Sequence, residues 1–152
     1  MKKFNFRLQK VMEFKEDIEK QKMGELAQAE NALLLELDKL EVLKKRESEY
    51  VAKVNEMREK GIIHPAEMES FCHYIDKLKI MQTLQRQQIK KAEKNVEAKR
   101  QILIQATQEK KIFEKLKEKQ LAEYEAEFAR QEQIFFDEIA SNKFGRKEET
   151  RP

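Results

Sequence analysis

Between Pro65 and Gly145 the chain contains neither glycine nor proline. That stretch therefore lacks the residues on which tight turns are usually built, those that accept a positive φ or fix a negative one. A β-sandwich or a wound α/β sheet would have to turn roughly every ten to fifteen residues. The shortage holds throughout, since the 152 residues include only three Gly and two Pro. Disorder is excluded by the other half of the composition. The chain is 39% hydrophobic, and its 40% charged residues nearly cancel to a net charge of +3. What remains is an all-α chain made of a few very long helices.

The apolar periodicity agrees. Phe4, Leu8, Val11 and Ile18 recur at helical spacing, and the pattern resumes after Gly24. From there Leu26, Ala29, Leu33, Leu37, Leu40, Leu43, Tyr50, Val54 and Met57 trace one buried face. The longer step between Ile18 and Leu26 slips by one residue from the heptad, so an irregularity is expected beside Gly24. A second run extends from Met68 through Phe71, Ile75, Leu78, Ile89, Val96, Ala106, Phe113, Leu121, Tyr124, Phe128 and Phe135 to Ile139. Glu16–Lys20, Glu41–Lys45 and Glu56–Lys60 are i,i+4 pairs in the favourable order.

One stop signal divides these runs, Lys60-Gly61-Ile62-Ile63-His64-Pro65. Glycine suits a helix C-terminus and proline the first position of the next helix. The expectation is a single antiparallel coiled-coil hairpin over 1–152. It has a helix over about 4–60, a turn at about 61–64, a helix over about 65–141 and a basic tail over 142–152. At 1.5 Å per residue the helices would measure roughly 85 and 115 Å. Counting back from the turn sets position 4 opposite approximately position 122, and Tyr50 opposite Tyr74 or nearby. The end of the second helix, with Tyr124, Phe128, Ile134, Phe135, Phe136 and Ile139, then projects past the first. So many apolar side chains in water point to a docking surface or to self-association. Lys99, Gln82 and Glu47 fall on the seam, which suggests a hairpin that gains stability from a partner.

The same features exclude most chemistry. Cys72 is the only cysteine, so no intramolecular disulfide forms. His64, Cys72 and His73 do not make the four-ligand set of a zinc site, and adjacent Cys72 and His73 diverge by about 100° on a helix. Three isolated glycines make no phosphate-binding loop, and carboxylates along a hairpin have nothing to shield them from water. Neither enzyme activity nor a cofactor or metal is expected. The longest apolar run, Ala32 to Leu35, is far short of a membrane span. The N-terminus has no secretion-signal core, so the expected location is the cytoplasm. Lysine interleaved with glutamate makes a solvated coat rather than a nucleic-acid footprint.

The first twelve residues differ. Lys2, Lys3, Arg7 and Lys10 alternate with Phe4, Phe6, Leu8 and Val11, with no acid among them. Such a segment suits an acidic protein surface or anionic lipid. The plainer reading is that Phe4, Leu8 and Val11 pack on the second helix. Near the turn, Leu43, Tyr50, Phe71, Tyr74 and Leu78 form a second cluster, suited to an interface or to seam packing.

The opening Phe4-Asn5-Phe6-Arg7-Leu8-Gln9-Lys10-Val11-Met12-Glu13-Phe14-Lys15-Glu16 resembles the start of the flagellar export protein FliJ family. Glu49-Tyr50 ahead of Asn55 and Gly61, then Phe71 to Leu78, is similar to the same family. The resemblance implies a soluble, stalk-like component of the flagellar type III export apparatus, lying at the inner face of the cell membrane. Its implied partners are the hexameric export ATPase, whose ring assembly it promotes, the membrane export gate and export chaperones. By resemblance the ATPase-ring contact falls on Phe4, Arg7, Leu8, Lys10, Val11, Phe128, Phe135 and Phe136. The gate contact falls on Leu43, Tyr50, Tyr74 and Leu78, with Arg46 and Gln85 departing from the family pattern. The competing reading is a structural coiled-coil scaffold that buries the projecting helix end against its own copy.

Overall fold

The computed structural model describes residues 2–61 and 64–149. Ile62 and Ile63 of the expected turn, and residues 150–152 of the expected tail, lie outside the described residues. Two helices make up the fold, α1 (Gln9–Glu59) and α2 (Pro65–Glu149), and no strand occurs among the described residues. The chain is all-α, with the two long helices packed against each other and running antiparallel.

Its contacts gather into two units, Met1–Glu19 with Ala106–Pro152, and Lys20–Gln105. In the first, Tyr124 lies beside Lys2 and Phe4, Lys117 beside Gln9, and Lys110 beside Glu19. In the second, Lys99 meets Glu25, Gln85 meets Glu36, and Tyr74 meets Tyr50. In each unit a step up α1 is matched by a step down α2, as the counted register requires.

The helix ends carry the expected caps. Gly61 has a φ of 66°, and its N–H donates to the Arg58 carbonyl at 3.2 Å, the left-handed closure that glycine adopts without strain. At the start of α2 the His64 carbonyl accepts from the Met68 N–H at 3.0 Å, ahead of Pro65 and the first-turn acid Glu67. Of the three expected i,i+4 pairs, Glu56–Lys60 forms at 2.6 Å, while Glu41 turns to Lys44 at 3.8 Å.

Three expectations need correction. First, α1 begins at Gln9 rather than near residue 4. Residues two apart point to opposite sides of a helix, yet Phe6 is 4% exposed and Phe4 half-buried. Leaving the helix lets both rings turn inward. Second, residues 142–149, expected as tail, continue α2. A single Gly145 costs a helix only about 1 kcal/mol, and Arg146 and Lys147 suit its C-terminal end.

Third, the seam passes Gly24 with no slip. From Leu8, just ahead of α1, the covered positions step through Met12, Lys15, Glu19, Lys22, Leu26, Ala29 and Leu33 in unbroken threes and fours. The apolar Val11 and Phe14 lie outside this line and are exposed. The apparent slip came from following apolar residues where the seam is polar. No backbone irregularity then needs Gly24, and a Cβ there would meet nothing within 4 Å. Gly24→Ala is expected to stabilise the protein by about 0.5–1 kcal/mol, read from the urea midpoint. A destabilised variant would restore the irregularity.

Candidate docking surfaces

At the terminal end, the Phe4 and Tyr124 ring centroids lie 5.5 Å apart, and the Tyr124 hydroxyl donates to the Lys2 carbonyl at 2.7 Å. Tyr124 stacks in turn on Phe128 at 6.3 Å. Tyr124, expected in the projecting segment, is thus half-buried against the non-helical N-terminal stretch of chain. Leu8 is half-buried as well, while Arg7, Lys10 and Val11 face solvent. Beyond Tyr124 the picture changes. Every residue from Phe128 to Lys147 is exposed, with Phe135 at 59% and Phe136 at 61%. The structure therefore separates the terminal candidates. Phe4 and Leu8 pack within the unit, whereas Arg7, Lys10, Val11, Phe128, Phe135 and Phe136 are open to a partner.

Phe6, named from the sequence only among the apolar residues of the basic segment and not as a packing residue, packs more deeply than Phe4. The signal was present in Phe-x-Phe, a spacing at which one helix cannot bury both rings.

Near the turn, Tyr50 is the hub. Its ring lies 4.5 Å from that of Tyr74 and 5.6 Å from that of Phe71, with the Lys53 ammonium 4.7 Å above it. All three rings are half-buried. Leu43 is buried and Leu78 is 0% exposed. Of the four expected gate residues, only the two tyrosines therefore offer surface. Leu43 and Leu78 hold the helices together underneath.

In the same unit, Leu35, Val42 and Met81 border an apolar groove of about 450 Å³ with Leu43 at its side and Asp38, Lys39 and Gln85 along it. The sequence reading passed over this groove. Its signal was the run Leu33-Leu34-Leu35, since one helix face cannot bury three consecutive residues.

The seam carries the main electrostatic features. Gln82 is buried and donates through Nε2 to Glu47, and Gln85 donates to both the Glu36 carboxylate and its backbone carbonyl. Glu19 is 7% exposed, with Oε1 accepting from Lys110 Nζ at 3.0 Å. Its Oε2 is buried without a hydrogen-bond partner. The Lys110 bond, aided by the nearby Thr107 hydroxyl and opposed by burial, lowers the Glu19 pKa, and the same bond raises that of Lys110. These pairs position one helix against the other and present no reactive group to solvent.

His64, Cys72 and His73 are exposed, with His73 3.5 Å from Glu69. Among the described residues, no group of three or more His, Cys, Asp or Glu could hold a metal ion, and no helix is long and apolar enough to cross a membrane.

No curated protein and no solved structure matches the chain. The family model described as flagellar FliJ protein matches residues 4–149, which takes in both helices and both aromatic clusters. The chain belongs to the FliJ family, and with it to the flagellar protein export apparatus.

Proposed function

We propose that this chain acts as the stalk-like element of the export apparatus. Its terminal unit docks in the hexameric export ATPase and promotes ring assembly, and its turn-proximal tyrosines link the ring to the membrane export gate. Export chaperones are further partners, and the protein works in the cytoplasm at the inner face of the membrane, without catalysis of its own. The observation that carries the reading is the bare apolar helix end, Phe128 to Ile139, in the same unit as the exposed cations Arg7 and Lys10. A surface of that composition is suited to a partner with apolar pockets and acidic rims.

The mechanism follows from symmetry. A two-helix coiled coil has different residues on every side, so it cannot touch six equivalent subunits alike. Contacts made with one subunit interface favour its closed state over the other five, which couples assembly to nucleotide turnover. Phe4 and Leu8 serve indirectly, by fixing the N-terminal stretch so that Arg7 and Lys10 are presented. On the gate side, Tyr50 and Tyr74 supply the contact surface, supported by buried Leu43 and Leu78.

The test is to mix the purified protein with the export ATPase and follow ATP hydrolysis and ring formation. Both are expected to rise, and no change in either would sink the proposal. Arg7→Glu with Lys10→Glu should weaken ring docking by roughly tenfold at low salt and less at high salt, with helical content unaltered. Normal affinity in that variant would move the cationic contact elsewhere.

A further inference from the structure

The mixed-charge coat of the helices fails in one stretch of α2. From Lys77 to Ala92 the sequence contains no acid, the longest such run in the chain. Extended to Lys94, the stretch sets Lys77, Lys79, Arg86, Lys90, Lys91 and Lys94 against Glu93 alone, a net charge of +5 in a chain whose total is +3. The part of α1 that lies opposite, residues 30–47, does not cancel this excess. Its five acids are nearly matched by four cations. Three of those acids are already engaged: Glu36 with Gln85 and Lys39, Glu41 with Lys44, and Glu47 with Gln82. All six cations of the stretch are exposed, and none forms an ion pair among the described residues. The next two, Lys99 and Arg100, are held by Glu25 and Glu97.

Helix phase sorts these residues into a surface. Leu78, Gln82 and Ile89 are buried toward α1. Tyr74 and Met81, seven residues apart, flank that seam on one side, and Lys79 and Arg86, also seven apart, flank it on the other. Ile80, Leu84, Lys91 and Lys94 lie on the back of α2, with Ile80 62% and Leu84 56% exposed. Uncharged polar groups nearby are tied up. The Thr83 hydroxyl donates to the Lys79 carbonyl at 3.1 Å, and Gln85 is bonded to Glu36. What remains for a partner is a set of free cations around two aliphatic side chains one turn apart, on a different side of α2 from Tyr74.

That combination selects the occupant. Free cations favour a partner dense in carboxylates or phosphates. Ile80 and Leu84 in their midst favour carboxylates, because a protein helix brings apolar side chains between its acids, while a phosphate backbone has nothing to cover them. Base stacking and anchoring at a lipid interface both draw on aromatic side chains, and none occurs from Lys77 to Lys94. We propose that α2 over 77–94 docks an acidic amphipathic helix of another protein, its aliphatic stripe on Ile80 and Leu84 and its carboxylates beside Lys77, Lys90 and Lys91. The stretch is roughly 26 Å long, which accommodates a partner helix of about five turns. The assignment does not depend on the export reading and leaves the tyrosine side of the helix free.

The probe is a fluorescent synthetic peptide of three Leu-Ala-Glu-Gln-Leu-Ala-Glu repeats, titrated with the full chain at low salt. Binding is expected with a Kd below about 100 μM, weakening as salt rises. The same peptide with every Glu replaced by Gln should bind at least about tenfold more weakly. Lys90→Glu with Lys91→Glu should weaken binding by at least about tenfold, and Ile80→Gln with Leu84→Gln by at least about threefold, with helical circular dichroism unchanged in both. Carbodiimide coupling, which joins a carboxylate to an amine in contact with it, should mark Lys77, Lys90 and Lys91 rather than Lys2, Lys3 or Lys10. No binding, equal binding of the Gln peptide, or coupling confined to the N-terminal lysines overturns the proposal. So does indifference to the Ile80 and Leu84 substitutions, or tighter binding of duplex DNA or phosphatidylserine vesicles than of the acidic peptide.

Discussion

Leu78→Ala is expected to lower the free energy of unfolding by about 2–3 kcal/mol, measured by urea denaturation followed at the helix band. Among the described residues, Leu78 is the one large side chain fully shielded from solvent. Deleting its branched end removes transfer free energy and leaves a void. The two helices are joined at one end only, so they can close partly on that void, which keeps the cost below the upper range for globular cores. The same substitution separates a packing role from a contact role. A gate-binding loss in Leu78→Ala should track the loss of folded protein and recover at low temperature or with a stabilising Gly24→Ala. Truncating Tyr74, which is half-exposed, should instead weaken gate binding in protein that remains helical. Equal folding stability for Leu78→Ala and the parent would show that the seam is not closed at this point.

Much of this architecture could be read from punctuation and periodicity. Gly61 and Pro65 located the break, and counting from it set Phe4 near Tyr124 and Tyr50 near Tyr74, where the rings are found in contact. The misreading at Gly24 has an identifiable cause. An apolar-periodicity argument assumes that the buried line is apolar, but Lys15, Glu19 and Lys22 occupy it in α1, as do Gln82, Gln85, Lys99 and Lys110 in α2. Following the nearest apolar residue led to Ile18 in place of the buried Glu19 and produced a slip where the covered line has none. The candidate surfaces divided along the same line. Residue type marked Leu43 and Leu78 as apolar and near the turn, but only the helix phase reveals that they point inward while the tyrosines reach the edge. The exposed end of α2 was visible as surplus aromatics. Their division into covered and open became interpretable only once the face turned to α1 was known, because the two faces are neighbours on one helix and their apolar residues interleave in sequence.

Lys110→Met should lower the thermal midpoint by roughly 10 °C at pH 7, and acidification should partly restore it. In the parent protein the Lys110 ammonium holds Glu19 ionised, and its pKa lies below the ordinary carboxylate range. A carboxylate with a lowered folded pKa contributes stability that is present above its unfolded pKa and lost as pH falls through the folded one. The parent should therefore become less stable from about pH 5 downward, with Glu36, Glu56 and Glu127 adding to the slope in the same direction. Removing Lys110 reverses the Glu19 contribution. The carboxylate then keeps its burial, and neither Oε2, already without a partner, nor Oε1 has a cation to bond. Desolvation is then the largest remaining influence, opposed by the Thr107 hydroxyl and by Lys111, and the Glu19 pKa rises relative to the parent, so protonation on mild acidification relieves the buried charge and stabilises the variant. Between pH 7 and about 5 the midpoint of Lys110→Met should rise while that of the parent stays level. Adding Glu19→Leu should remove both the loss and its pH dependence, since an apolar pair in the seam avoids the desolvation cost that the ion pair only partly recovers. Parallel pH profiles for the parent and Lys110→Met would mean that Glu19 reaches water on its own, and that the seam at this point is wetter than its burial implies.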